Sequence, residues 1–212
     1  MSEPLFVIAI AGHSGAGKST VIEDLVAMFG EAIRLSLDDY ESSSIYPPAS
    51  QWLDEGADPN QFLTPQLVED VKALIDGRSI THPRTNEEMK PKRSLMIEEP
   101  FGRERNAMRA LIDFVVYIDT PLEVAYARKL LRKSEFLPWE DNPSVFITNL
   151  RENLLWYLRV GRKFYGAVGS NAQKNCDLIV DGTLSTEEIV KRIYKAVTEK
   201  QRVAPKSGDN IR

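Results

Sequence analysis

One short stretch near the N-terminus, Gly12 through Thr20 (GHSGAGKST), constrains the fold more than any other part of the chain. It matches the phosphate-loop pattern G-x-x-x-x-G-K-[ST], with Gly12, Gly17, Lys18 and Ser19 at the fixed positions and Gly15 as an additional glycine. The apolar run Leu5–Ala11 directly before it reads as a buried parallel strand. Directly after it, Val21, Ile22, Leu25, Val26 and Phe29 recur at helical spacing. Strand, loop and helix therefore follow in the order the motif needs. Backbone N–H groups of Gly12, His13, Ser14, Gly15, Ala16, Gly17, Lys18, Ser19 and Thr20 are expected to turn inward on a phosphate, helped by the helix N-terminus. Lys18 is expected to reach the β- and γ-phosphates, and the Ser19 hydroxyl to hold a magnesium ion. The pattern points to a bound nucleoside triphosphate.

With 212 residues the chain suits one domain over about 1–200, with a flap or insertion at about 40–92, a lid at about 128–143 and a flexible tail over 201–212. The net charge of −4 argues against a nucleic-acid partner, which calls for a basic face. Cys176 is the only cysteine, so an intrachain disulfide or a cysteine metal cluster is excluded, and a buried apolar role is expected for it. No apolar segment approaches a membrane span, and Met1-Ser2-Glu3-Pro4 lacks the features of a leader. The expected setting is cytoplasmic, with a small-molecule partner and no membrane; a homo-oligomer is compatible with the composition.

Along the chain, Ala32–Leu37 reads as a second strand ending at Asp38 and Asp39. Tyr40–Asn60, rich in Ser, Pro and Asp, reads as a loop or short-helix insertion anchored by Trp52 and Leu53. Thr64-Pro65 opens a helix with Leu67, Val71 and Leu74 on one face, and Gly77 stops it. Residues 78–92 suggest a hairpin or flap. Strands follow at Ser94–Glu98, Phe114–Asp119 and Leu178–Val180. Thr120-Pro121-Leu122-Glu123 reads as a capping box, Asn142-Pro143 as the start of a long helix with core stripe Ile147, Leu150, Leu154 and Leu158, and Ser185 as the cap of a last helix with Ile189, Ile193 and Val197 inward. Strands alternating with helices predict an α/β three-layer sandwich on a mainly parallel five-stranded sheet, the P-loop NTPase plan.

Ligands in such sheets sit beyond the strand C-termini, so the residues just after each strand matter most. Asp38, Asp39, Glu98, Glu99 and Asp119 all lie there. Carboxylates beside a magnesium-triphosphate hold the metal or take a proton from an attacking hydroxyl. Asp38 and Glu98, on strands expected to flank the first, are the candidates; Asp119, before a helix cap, reads as structural. Arg128 and Arg132, four residues apart on the helix after Asp119, are placed to aim at the phosphates from a lid. Lys129, Lys133, Arg159, Arg162 and Lys163 read as surface charge, and His82 as incidental. Asp39, Tyr40, Arg84 and Arg103 are candidate contacts to the phosphate acceptor.

Over most of residues 5–198 the chain resembles the uridine kinase and phosphoribulokinase group of P-loop kinases; nicotinamide riboside kinases share the same plan. The resemblance is carried by the phosphate loop, Leu35–Tyr40, Asp58-Pro59 through Gly77, Leu95–Glu98, Val116–Pro121 and Asn175–Val180, in family order. It implies Asp38 as general base, Glu98 near magnesium, and Arg128 or Arg132 as lid arginines. The acceptor side departs from the pattern: Pro83-Arg84-Thr85-Asn86-Glu87 lacks the family's tyrosine and following histidine, and Glu99-Pro100 stands where a glycine is usual.

The expected activity is ATP- and Mg²⁺-dependent transfer of a phosphoryl group to a hydroxyl of a small metabolite, a nucleoside or related sugar compound. The alternatives are a regulatory P-loop NTPase or an ATP-binding protein acting on a protein partner. No Asn-Lys-x-Asp guanine motif is present to support a regulatory GTPase.

Overall fold

The unbroken apolar run of the first strand, buried on both faces, sets the layers. In the computed structural model, which describes residues 4–136 and 142–203, β1 (Phe6–Ala11) sends Val7, Ala9 and Ala11 to one face of a sheet and Ile8 and Ile10 to the other, all fully buried. The phosphate loop leads into α1 (Lys18–Phe29) and then β2 (Ala32–Leu35), which ends two residues short of the predicted strand because Leu37–Ser43 coils into a 3₁₀ turn. The predicted insertion contains α2 (Ala49–Asp54), pinned by the fully buried Trp52. Helix α3 (Pro65–Ile75) buries Leu67, Val71 and Leu74 as its spacing requires. The flap is a hairpin of β3 (Ile80–Thr81) and β4 (Glu88–Met89), antiparallel.

The rest of the sheet comes from β5 (Ser94–Glu98), β6 (Phe114–Asp119) and β7 (Leu178–Asp181), with the short α4 (Asn106–Arg109) between β5 and β6. The five strands are all parallel in the order β2-β5-β1-β6-β7. Glu98 thus follows a neighbour of β1, as expected. Asp38 does not: β2 is an edge strand, because β5 occupies the slot between it and β1. Helix α5 (Leu122–Phe136) follows β6, and α8 (Thr186–Val203) closes the chain. Helices α1 and α8 pack with Ile8, Ile10, Val116 and Ile118 on one face, and α3 packs with Val7, Leu95 and Val115 on the other. Residues 201–203 continue α8 rather than beginning a tail; 204–212 lie outside the described residues.

Between α5 and β7 runs one long helical rod: α6 (Pro143–Trp156), a π turn (Tyr157–Gly161) and α7 (Arg162–Gln173). Asn142 caps it, accepting the Val145 amide at 3.2 Å. The predicted core stripe fails here. No described residue of α6 is buried, and Ile147 and Leu158 are 62% and 74% exposed. Helical periodicity marks an apolar face but not what covers it. α6 instead approaches α5 through Phe146, Leu150 and Asn153, and the inward packing of the rod falls on Tyr157, Tyr165 and Val168. The predicted lid falls partly on residues 137–141, outside the described residues. Among the described residues no helix is long and apolar enough to cross a membrane.

Candidate active site

At the end of β1 the chain turns through Gly12, Gly15 and Gly17, with φ of 143°, 85° and 99°. Gly15, which the pattern does not demand, is required here: a Cβ at this position would overlap the Ala125 carbonyl of α5. The loop is also tied to the end of β6. His13 is 4% exposed and its Nε2 donates to the Thr120 carbonyl at 2.9 Å. Thr120, read as a helix cap, sends its hydroxyl to the Ala16 carbonyl at 3.1 Å. His13 is therefore a structural part of the loop. Eight of the nine loop residues border a cavity of about 250 Å³; Ala16 sits beneath it in the core.

Lys18 Nζ donates to the His13 carbonyl at 3.1 Å and lies 3.2 Å from Glu98 Oε1. The other Glu98 oxygen accepts from Ser36 Oγ at 3.3 Å and faces Ser19 Oγ at 3.5 Å. Asp38, in the 3₁₀ turn, lines the same cavity. It is open to solvent through the cavity, yet its carboxyl is raised above 3.8, first because surrounding protein strips away water and then because of Glu98; Lys18 pulls the other way. Ser19, Ser36, Glu98 and Asp38 form a cluster of hard oxygen donors. No group of three or more His, Cys, Asp or Glu suited to a metal occurs among the described residues. A magnesium ion bound mainly through phosphates needs only one or two carboxylates, so the donor set fits it.

Arg132 reaches the cavity wall. The other predicted contacts do not. Asp39 turns away from Asp38 toward the hairpin, where Arg84 Nη1 donates to it at 2.8 Å and His82 Nε2 lies 3.4 Å away. This pairing occupies Asp39 and Arg84, so neither lines the cavity, and it gives His82 a role in holding the flap. Tyr40 is fully buried, donating to Asp70 at 2.9 Å. Arg103 lies at the opposite end of the sheet, pairing with Asp177 at 2.7 Å and donating to the carbonyls of Ile112, Asp113 and Asn175. Arg128 donates to the Gly182 carbonyl at 3.1 Å, which fixes α5 against the turn after β7 and keeps this arginine off the cavity wall.

Two features escaped the sequence reading. The first is an aromatic wall: Tyr46, Phe62, Phe101, Phe164 and Tyr165 border the cavity, with Trp52 packed behind them. The second is a buried ion pair beneath it. Arg105 is 4% and Glu99 0% exposed at the side chain, and Arg105 Nε donates to both Glu99 oxygens at 3.1 and 3.2 Å. Arg105 Nη1 donates to the Phe62 carbonyl and to Thr64 Oγ1, at 2.9 and 2.8 Å. The unusual Glu99-Pro100 after the strand was the available signal: a buried carboxylate demands a cation.

Residues 7–135 match the model of the phosphoribulokinase / uridine kinase family. A uridine kinase of Borrelia duttonii is 29% identical over 185 residues, covering 82% of this chain and 85% of its own. One of Staphylococcus haemolyticus is 28% identical over 142 residues, 61% of this chain and 69% of its own. A deoxyadenosine kinase from M. mycoides superimposes with a TM-score of 0.45 at 14% identity, covering 92% of this chain and 100% of that one. A phosphate loop on a five-stranded parallel sheet, matched by that family model over more than half its length, makes this chain a member of the phosphoribulokinase / uridine kinase family and a small-molecule kinase acting on a hydroxyl.

Proposed function

We propose that the chain transfers the γ-phosphoryl group of ATP to a hydroxyl of a nucleoside or related ribosyl compound, with Asp38 as general base. The observation that carries this reading is the shared cavity: the phosphate loop and the Asp38 carboxylate face the same space. The triphosphate lies on Gly12–Thr20, where backbone amides and Lys18 compensate its charge. The acceptor hydroxyl gives its proton to Asp38 as its oxygen bonds to the γ-phosphorus, and the bond to the β,γ-bridging oxygen breaks to release ADP. The raised Asp38 suits the task, since a base is most effective when its affinity for the proton is not too weak. Ser19 and Glu98 would hold Mg²⁺, which supplies charge neutralisation at the phosphates when bound, and this leaves the Asp38 carboxylate free to take the proton. Lys18 and Arg132 add fixed positive charge on the protein side.

The test is ADP release in a coupled assay with a panel of nucleosides and other small alcohols. Acceptor-dependent release that disappears in Asp38→Asn while ATP still binds supports the reading. Release that ignores every small acceptor but rises with a protein partner overturns it.

A further inference from the structure

We propose that Asp39 and Tyr40, neither of which borders the cavity, are positioning residues for Asp38: the flap and α3 grip them and thereby aim the carboxylate beside them. This rests on the reading of Asp38 as general base and adds what holds that base in place. Asp38, Asp39 and Tyr40 are consecutive in one 3₁₀ turn, Leu37–Ser43. With three residues per turn, consecutive side chains leave the axis about 120° apart. Asp38 takes the cavity side, Asp39 the hairpin side, and Tyr40 enters the core against α3. Fixing two of these directions leaves the third little freedom.

The turn needs such support because it follows β2, an edge strand. The flap supplies one anchor. His82 Nδ1 accepts the Arg84 and Thr85 amides at 3.3 and 3.2 Å, which shapes the bend between β3 and β4 and leaves the ring proton on Nε2. That nitrogen lies 3.4 Å from Asp39 Oδ2, while Arg84 Nη1 donates to Asp39 Oδ1 at 2.8 Å. One imidazole thus folds the flap's bend with one nitrogen and faces Asp39 with the other. An exposed ion pair alone would hold little, but the Asp39 and His82 side chains are only 12% and 14% exposed. Helix α3 supplies the second anchor. Tyr40, fully buried, donates to Asp70 Oδ2 at 2.9 Å, and its carbonyl accepts the Ser43 and Ser44 hydroxyls at 3.1 and 2.7 Å. On the β2 side, Ser36 Oγ donates to Glu98 at 3.3 Å. A displacement of about 1 Å at a reacting group costs about 10²-fold in rate, so loosening either anchor should appear in turnover.

The experiment follows ADP release with uridine, cytidine and nicotinamide riboside as acceptors, and ATP binding by calorimetry. Tyr40→Phe keeps the buried ring, loses only the hydroxyl, and lies too deep to touch an acceptor. His82→Asn keeps an oxygen to accept the amides of the bend but loses the reach to Asp39. Each should lower kcat about tenfold, with acceptor KM and the ATP dissociation constant within about twofold of the wild type. Asp39→Ala, which releases the flap outright, should lower kcat about 10²-fold. The deciding comparison is made in Asp38→Asn. Its residual rate should fall no further when Tyr40→Phe or Asp39→Ala is added, because the group they aim is gone. Equal losses in both backgrounds, a raised acceptor KM with unchanged kcat, or full kcat in both Tyr40→Phe and His82→Asn overturns the inference. Hydrogen exchange needs no acceptor. Amides of Leu37–Ser43 should exchange at least about tenfold faster in Asp39→Ala while those of Gly12–Thr20 keep the wild-type rate; unchanged exchange over Leu37–Ser43 overturns the inference. Faster exchange in a protein whose wild type transfers to none of the acceptors upholds the clamp and overturns the kinase reading instead. Full kcat in Asp38→Asn overturns the general-base reading.

Discussion

Lys18 Nζ stands 3.2 Å from Glu98 Oε1, with both side chains largely buried, so the phosphate-loop cation is held by a carboxylate at the place where a triphosphate is proposed to bind. A triphosphate bound there would draw that ammonium away and free Glu98 for a metal. Glu98→Gln separates the two roles. Calorimetry without magnesium should show ATP bound at least as tightly as by the wild type, because one repelling charge is gone. Magnesium-dependent ADP release should fall by roughly 10–100-fold. Weaker metal-free binding together with full activity contradicts this account.

Asp38→Asn should lower kcat by about 10²–10⁴ and leave ATP binding intact, measured by steady-state kinetics and calorimetry.

The direction of the Asp38 shift has two further consequences. The base works ionised, so the acid limb of kcat/KM should lie above the ordinary aspartate value of 3.8, and activity should rise with pH through it. For stability the sign is opposite. A carboxyl raised on folding favours the folded state while protonated and loses that contribution as pH climbs through its folded-state value. Asp38→Asn should therefore melt at a higher temperature than the wild type at neutral pH, and the difference should shrink in acid; calorimetric scans across pH check it.

The Arg105–Glu99 pair supports the aromatic wall through the Phe62 carbonyl and Thr64. Arg105→Met alone leaves a buried carboxylate unpaired and should destabilise the fold by about 3–5 kcal/mol in urea titrations. Arg105→Met with Glu99→Leu should recover most of that loss, since the buried charge is removed along with its partner.

Gly15 combines a φ of 85° with direct contact to the α5 backbone at Ala125. Gly15→Ala should cost ~1–2 kcal/mol from the backbone conformation alone and more from the overlap, seen as a lower melting temperature. ATP affinity should fall about tenfold or more as the loop amides tilt out of register.

Local rules carried most of the legible part. The phosphate loop, the inward face of α3, the hairpin and the Ser185 cap depend on near neighbours in the chain, and the structure has them where the residue pattern puts them. Direction was harder to read than identity. Tyr40 and Arg103 carry chemistry suited to a ligand, but their partners, Asp70 and Asp177, are supplied by distant segments. Thr64 stands at the N-cap of α3, yet its hydroxyl accepts from Arg105 and not from the helix amides. The apolar repeat of α6 is real, but periodicity does not say which way a peripheral helix faces. The aromatic wall draws on the stretch before α3, the turn after β5 and helix α7, and only the tertiary fold brings these together.

The insertion of β5 between β1 and β2 also bears on how the molecule is made. Both early strands are synthesised by residue 35, but neither hydrogen-bonds to the other; each waits for Ser94–Glu98. A ribosome-bound chain must therefore emerge as far as Ser94–Glu98 with two apolar edges unpaired, and chaperone capture or misassociation is most acute in that interval.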